Sequence, residues 1–120
     1  MPTKRGEEIA RPRPWTVRAV DLAAGKGWDQ LVDHFPDAAD RAWAAITTDP
    51  YRREERQHPL RGTLAWVSVG GKPLEQWEFE VTGGARLRYA IDSATRTLWI
   101  MHAGVGHPKD TDRPRRKKRG

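Results

Sequence analysis

The chain contains no cysteine among its 120 residues, which excludes disulfide bonds and thiolate metal sites and fits a reducing compartment. Its apolar runs are no longer than a single strand, so the sequence predicts no transmembrane helix and no membrane partner. The first 14 residues lack the apolar core of a secretory signal. From these absences we expect a cytoplasmic protein.

Aliphatic residues are also sparse, whereas six tryptophans are many for a chain of this length. Each tryptophan can bury a large apolar area, so we expect the tryptophans to anchor the core. A chain of this size has room for one domain with a modest core.

The net charge of +6 is unevenly distributed along the chain. Residues 1–13 carry a net charge of +2 and residues 109–120 carry +5, whereas residues 14–108 carry −1. A basic tail is typical of proteins that contact a polyanion, although a solvated, disordered tail explains the same charges. We expect a flexible segment at 1–14, one domain at 15–109 and a disordered basic tail at 110–120.

Two helices are predicted between residues 28 and 48. Apolar side chains follow helical spacing from Trp28 onward, and Pro36 ends the first helix. Asp37 then stands where an N-cap residue belongs, and the second helix must stop before Pro50. The pattern indicates a helical hairpin.

Strands are predicted on both sides of this helical hairpin, with a polar connecting loop at residues 50–62. The predicted strands cover residues 15–20, 63–69, 75–81, 85–91 and 97–102. The last strand is apolar on both faces, as expected for a strand in the middle of a sheet.

Side-chain parity predicts the register of the hairpin between the segments 75–81 and 85–91. A two-residue loop would place Glu80 opposite Leu87 and mix the two faces. A three-residue loop, commonly built with a glycine at positive φ, keeps the faces separate. The predicted pairs are Phe79 with Leu87, Trp77 with Tyr89, Glu80 with Arg86, and Glu78 with Arg88.

Four short stretches carry a resemblance to a known family. They are Leu60-Arg61-Gly62, Gln76-Trp77-Glu78-Phe79-Glu80-Val81, Gly84-Ala85-Arg86-Leu87-Arg88-Tyr89-Ala90-Ile91-Asp92 and Gly106-His107-Pro108-Lys109. In this order, residues 15–109 resemble the RelE/ParE superfamily of type II toxin–antitoxin systems, and the G-x-R-L-x-Y pattern of the third stretch is the strongest match. The resemblance implies an α+β fold with a strand, a helical hairpin and then an antiparallel sheet of three to four strands.

The family includes ribosome-dependent mRNA endonucleases and gyrase poisons, which are neutralised by an antitoxin that wraps the toxin. The resemblance therefore implies a toxin, and the leading hypothesis is a metal-independent mRNA endonuclease that acts at the ribosome. Its expected partners are a cognate antitoxin, mRNA and the ribosome, and no cofactor is expected. The alternatives are a gyrase-binding ParE-type toxin and a non-toxic, basic nucleic-acid-binding relative of the fold.

Two features depart from the family pattern. Residues 63–74 look like an added strand and turn between the Leu-Arg-Gly motif and the central hairpin. Some ribosome-dependent members carry lysines where this chain has Glu78 and Glu80, which argues against a copied lysine-based mechanism.

Metal-free RNA cleavage needs a base, a cation that stabilises the phosphorane and an acid. Arg86 matches the arginine of the family pattern, and we predict that it binds the scissile phosphate; a cross-strand ion pair with Glu80 is the alternative. His107 is predicted to transfer a proton and Lys109 to support the charge, because both follow the last strand. Their alternatives are an exposed turn histidine and a solvated lysine.

His102 and several further basic residues are additional polar candidates. By parity His102 shares a face with Leu98 and Ile100, which favours a hydrogen-bonded core histidine. The histidine spacing matches no zinc motif, so we expect no metal site. The predicted RNA contacts are all basic: Arg61, Arg88, Arg113, Arg115, Arg116, Lys117 and Lys118.

Overall fold

The computed structural model describes residues 2–106. The predicted basic tail at 110–120 lies outside the described residues. Within them the chain forms two helices and one mixed sheet of six strands, so the predicted α+β class is confirmed.

The first three elements are strand β1 (Thr16–Ala19), helix α1 (Leu22–His34) and helix α2 (Pro36–Thr48). Helix α1 begins before the predicted start because the Asp21 side chain accepts a hydrogen bond from the Ala24 amide at 2.8 Å, a capping contact. Pro36 follows the end of α1, as predicted, and it is also the first residue of α2. A proline suits that position because it needs no amide hydrogen there.

The predicted N-cap at Asp37 is therefore wrong. Phe35 is the residue before α2, and Asp37 lies in its first turn. An acidic side chain is favourable there because the N-terminal end of a helix carries a partial positive charge.

The remaining strands are β2 (Gln57–Pro59), β3 (Trp66–Val69), β4 (Lys72–Glu80), β5 (Arg86–Asp92) and β6 (Thr97–Gly104). The order across the sheet is β1-β6-β5-β4-β2, and β3 pairs with β4 as well. β1 runs parallel to β6, and the other pairs are antiparallel.

The segment 50–62 is not only the connecting loop that its polar composition predicts. It contains β2 and the start of a short 3₁₀ helix at Gly62–Leu64. β2 has three residues, too few to show an alternating pattern, and it forms because its backbone pairs with β4.

The predicted register of the central hairpin is confirmed for all four pairs. Val81 and Ala85 close a three-residue loop, in which the Thr82 hydroxyl accepts hydrogen bonds from the amides of Gly84 and Ala85. Neither Gly83 nor Gly84 has a positive φ, so that part of the prediction is wrong. The threonine side chain organises this turn instead of a left-handed glycine.

β5 and β6 are joined by an irregular ladder. Tyr89 pairs with Ile100 and Arg88 pairs with His102, so Met101 is an extra residue on β6. Such a bulge reverses the alternation of side chains along the strand that follows it. Residues of β6 after Met101 therefore present the opposite face from the one that simple parity predicts.

Both helices pack on one face of the sheet. Leu31 of α1 and Ile46 of α2 are fully buried there. Trp77 and Tyr89 are 2% and 0% exposed, which confirms their predicted burial. The core-facing strand residues are Trp77, Phe79, Leu87, Tyr89, Ile91, Leu98 and Ile100, and Val81, just after β4, packs with them.

The expectation that the tryptophans anchor the core is wrong for two of the six. Trp43 and Trp66 are 40% and 61% exposed. Much of the helix surface against the sheet consists instead of alanine, because short side chains let the helices approach closely.

Tyr89 links the core to the loop before β2. Its hydroxyl donates to the Pro50 carbonyl at 2.7 Å and accepts from the Gln57 side-chain amide at 3.1 Å. Burial raises the pKa of Tyr89, so the hydroxyl stays protonated and keeps its role as a donor. These contacts tie β2 and the loop before it to β5.

An ion pair joins β4 and β5 at the end of their ladder that lies away from the hairpin turn. The Lys72 ammonium lies 3.1 and 2.9 Å from the two carboxylate oxygens of Asp92. The hydrogen bond from Lys72 lowers the pKa of Asp92 below its ordinary value of 3.8, against an opposing effect of burial.

The free energy of unfolding is expected to decrease as the pH falls through 3.8 and below. A carboxyl group whose pKa is lowered by folding stabilises the protein fully above its unfolded pKa, and this contribution is lost on acidification. Urea denaturation of the wild type and Asp92→Asn, between about pH 6 and about pH 3, should show the stability difference shrinking toward the acid end. A constant difference across that range contradicts the assignment.

Candidate functional site

The face of the sheet opposite the helices carries a group of charged side chains. Alternation along β4 and β5 places Glu78, Glu80, Arg86 and Arg88 on this polar face, while the residues between them enter the core. Partner residues in adjacent strands lie about 4.5–5.5 Å apart at their Cα atoms. The side chains therefore form short rows across the sheet.

One of these rows spans four strands and carries four ionisable side chains. His58 pairs with Glu78, Glu78 pairs with Arg88, and Arg88 pairs with His102. We call these four residues the cross-strand row. It brings two histidines, a carboxylate and a guanidinium onto one exposed surface.

His102 corrects the parity prediction, because it is exposed rather than in the core. The bulge at Met101 turns it onto the polar face beside Arg88. Its Nε2 atom lies 3.2 Å from the position of a Cβ built on Gly104, which itself pairs with Arg86. The imidazole therefore lies over Gly104, near the strand position of Arg86.

The arginines of this face are engaged by the two glutamates. Arg86 Nη2 lies 2.9 Å from Glu80 Oε2, and Arg88 Nε lies 3.3 Å from Glu78 Oε2. All four side chains keep some exposure, between 16% and 36%. Ion pairs exposed to this extent contribute at most about 1 kcal/mol each to stability.

Arg86 has further partners in the hairpin turn. Its Nη1 donates to the carbonyls of Thr82 at 2.9 Å, Gly83 at 3.2 Å and Ala85 at 3.3 Å. The Arg86 guanidinium therefore holds the hairpin turn in addition to forming the ion pair with Glu80. A phosphate bound by Arg86 would compete with these contacts. The Arg86 Nε has no hydrogen-bond partner among residues 2–106.

Arg88 is less occupied. Only its Nε is used, by Glu78, so both terminal amino groups have no partner in the described part of the chain. These two groups form a planar pair of donors suited to a phosphate. The sequence prediction ranked Arg86 above Arg88 because Arg86 matches the arginine of the G-x-R-L-x-Y pattern. That pattern does not show that the hairpin turn occupies the Arg86 guanidinium.

Arg61 lies apart from this centre, at the residue before the 3₁₀ helix, where it is exposed. His107 and Lys109 lie outside the described residues, as do the predicted tail contacts Arg113, Arg115, Arg116, Lys117 and Lys118. The structure thus brings Arg86 and Arg88 together and adds His58 and His102 to the face.

Within residues 2–106, no group of three histidine, aspartate or glutamate side chains is arranged to hold a metal ion. The same part of the chain contains no helix long and apolar enough to cross a membrane.

Sequence comparisons find no relative: neither a scan against protein-family models nor a search of curated proteins returns a match. Solved structures do match. A YoeB/ParE toxin from Agrobacterium tumefaciens superposes with a TM-score of 0.56 at 13% identity, over 77% of this chain and 98% of that one. The chain has the RelE/ParE toxin fold.

Two further structures share this RelE/ParE fold. A metal-bound toxin from Helicobacter pylori matches with a TM-score of 0.53 at 18% identity, over 79% of this chain and 97% of that one. The YoeB-YefM complex from Staphylococcus aureus matches with a TM-score of 0.54 at 10% identity, over 82% of this chain and 100% of that one. The predicted resemblance in fold is confirmed by these structures, although their sequence identity to this chain is low.

Proposed function

We propose that the protein is the toxin of a type II toxin–antitoxin system and cleaves mRNA at the ribosome without a metal ion. The observation that carries this proposal is the cross-strand row, in which the bulge at Met101 sets His102 beside Arg88 on an exposed face. Histidine and arginine on one surface supply proton transfer and phosphate binding without a cofactor. The shared toxin fold supports the same function.

The proposed reaction is attack by the ribose 2′-oxygen on the adjacent phosphorus, with loss of the 5′-oxygen of the next nucleotide. A base accepts the 2′-hydroxyl proton, and an acid protonates the leaving oxygen. Arg86 and Arg88 bind the phosphate and stabilise its extra negative charge. His107 remains the proposed proton-transfer residue with Lys109 supporting it, and His102 is a second histidine suited to that step.

The expected products are a 2′,3′-cyclic phosphate and a 5′-hydroxyl. Purified protein mixed with programmed ribosomes should yield these ends, because the RNA's own 2′-oxygen, and not a metal-activated water, displaces the 5′-oxygen. Treatment with polynucleotide kinase followed by adaptor ligation identifies both ends. Cleavage that leaves a 5′-phosphate, the product of attack by water, contradicts the metal-free mechanism.

The surroundings of the arginines favour a second candidate, a toxin that binds gyrase and does not cut RNA. Glu78 and Glu80 neutralise the two arginines at the centre of the polar face. A guanidinium already paired with a carboxylate attracts an RNA phosphate less strongly than an unpaired one. A non-toxic nucleic-acid-binding relative of the fold is the third candidate, and absence of growth arrest would select it.

We further propose a cognate antitoxin as partner and a cytoplasmic location, in keeping with both toxin candidates. Basic residues in the tail would add sequence-independent, salt-sensitive contacts to ribosomal RNA. Co-expression with the product of an adjacent short reading frame should restore growth if that product is the antitoxin.

A further inference from the structure

The segment before and within β2 forms an open pocket of about 500 Å³ at the edge of the sheet. Its lining residues are Arg53, His58, Pro59, Leu60 and Arg61. We call it the β2 pocket. No carboxylate is part of this lining, which distinguishes it from the centre of the polar face.

The two arginines of the β2 pocket have no ion pair and no side-chain hydrogen bond within residues 2–106. Arg86 and Arg88, by contrast, are both paired with glutamates. Uncompensated positive charge therefore lies in the pocket, at the edge of the sheet formed by β2. An anion bound there meets no competing carboxylate among the lining side chains.

Arg53 is also held in place before any ligand binds. Its guanidinium carbon lies 5.5 Å from the centre of the Trp77 ring, within the range of a cation–π contact. Trp77 is buried and rigid in the core, so the guanidinium loses little freedom on binding.

His58 connects the β2 pocket to the polar face. It lines the pocket and pairs across the strands with Glu78, the first member of the Glu78–Arg88 ion pair. A bound RNA strand that follows the cross-strand row across the polar face would therefore pass over this pocket at the edge of the sheet. Adjacent strands are about 4.8 Å apart, so the side chains of the cross-strand row follow one another at regular intervals toward the pocket.

We infer that the β2 pocket binds one nucleotide of single-stranded RNA. Arg53 and Arg61 bind its phosphate, and His58 donates to the phosphate or sugar. Pro59 and Leu60 offer an apolar surface for the base. The volume lies in the range of small-ligand sites. This inference rests on the proposed function, since it names where the RNA substrate extends beyond the cleavage centre.

The test uses the full-length protein and observes its histidines by NMR. The chain has four histidines, so the side-chain resonances of His58 can be followed individually and assigned with His58→Gln. The probe is a 2′-O-methyl pentaribonucleotide, which cannot be cleaved because its 2′-oxygen is blocked. A glutamate-rich pentapeptide is the parallel probe for an acidic protein partner.

The RNA probe should shift the His58 resonances at saturation, whereas His34, at the end of α1, should not move. The double variant Arg53→Gln/Arg61→Gln should weaken binding about tenfold and abolish the His58 shift. It should also reduce the slope of log affinity against log salt by about 0.7 for each phosphate that the variant no longer neutralises. Thermal denaturation checks that the double variant is folded.

Arg52→Gln is the control for the loss of one positive charge from the same loop, and it is compared with Arg53→Gln and Arg61→Gln made singly. Arg52 lies in the same loop, but it pairs with Glu54 at 2.9 Å and does not line the β2 pocket. Its loss removes the same formal charge as either single arginine of the pocket and should change the affinity less than twofold.

The inference is overturned if saturating RNA leaves His58 unshifted, if the double variant binds like the wild type, or if the peptide binds more tightly than RNA. These results are distinct from a failure of the proposed function. An RNA-bound pocket in a protein that cuts no RNA refutes the endonuclease alone. Normal cleavage by a double variant with unchanged affinity refutes the pocket alone.

Discussion

Arg86→Ala and His107→Ala are each expected to lower the rate of RNA cleavage by about 10²–10⁴-fold and to abolish growth arrest. The reason is that removal of a charge-stabilising or proton-transferring group raises the energy of the transition state. The rates are measured on programmed ribosomes with purified protein.

Arg86 requires a control for folding because its guanidinium also binds three carbonyls of the hairpin turn. Arg86→Lys keeps the positive charge but loses the planar donor pair, so it should be folded and still strongly impaired. Glu80→Gln removes the ion-pair partner alone and should cost about 1 kcal/mol of stability or less, with cleavage largely retained. Loss of cleavage in Glu80→Gln, with activity retained in the Arg86 and His107 variants, would show that the site has been assigned to the wrong residues.

Gly27→Ala is expected to destabilise the protein by about 2–3 kcal/mol, the upper part of the range for overpacked sites. A Cβ at Gly27 would lie 2.1 Å from the Ala103 carbonyl oxygen, so α1 or β6 must move. The displaced atom belongs to the backbone, which cannot rotate away as a flexible side chain can. Because His102 precedes Ala103, the same shift should also disturb the polar face.

Gly25→Ala is the matched comparison on the same helix. Its Cβ would meet only the Ala19 Cβ, at an ordinary contact distance of 3.6 Å. Alanine is favoured over glycine inside a helix by about 0.5–1 kcal/mol, so this variant should be slightly more stable than the wild type. Thermal and urea denaturation compare the two variants, and equal stability would contradict the close packing of α1 on β6.

Periodicity predicted much of this fold because the relevant information is local. The spacing of apolar residues gave the helical hairpin, and alternation in the segments 75–81 and 85–91 gave the register of the central hairpin. The polar face followed from the same alternation. A one-residue slip would have buried the glutamates, so the register is strongly determined.

The features that local patterns missed depend on pairing between distant segments. β2 forms because β4 offers a free edge, and nothing in a three-residue polar stretch indicates that. The bulge at Met101 depends on how β5 and β6 align, and it moves His102 from the predicted core to the polar face. Arg88 gained importance for a similar reason, since only the folded turn shows that Arg86 is occupied.

The start of α1 was predicted too late in the chain, although the sequence contains a feature that marks it. Asp21 precedes a run of small residues and is a good N-cap, but alanine and glycine give a weak amphipathic pattern. The structure shows that these small residues are what the close approach to β6 requires.

The central claim is that the protein arrests growth by cutting mRNA. The most direct measurement is to induce it in bacteria and map transcript 5′ ends while assaying gyrase supercoiling in extracts of the same cells. If the protein cuts mRNA, new 5′-hydroxyl ends should arise within translated regions, should depend on Arg86 and His107, and should leave gyrase activity unchanged. Growth arrest with intact transcripts and inhibited gyrase would contradict this claim and establish the gyrase-binding alternative.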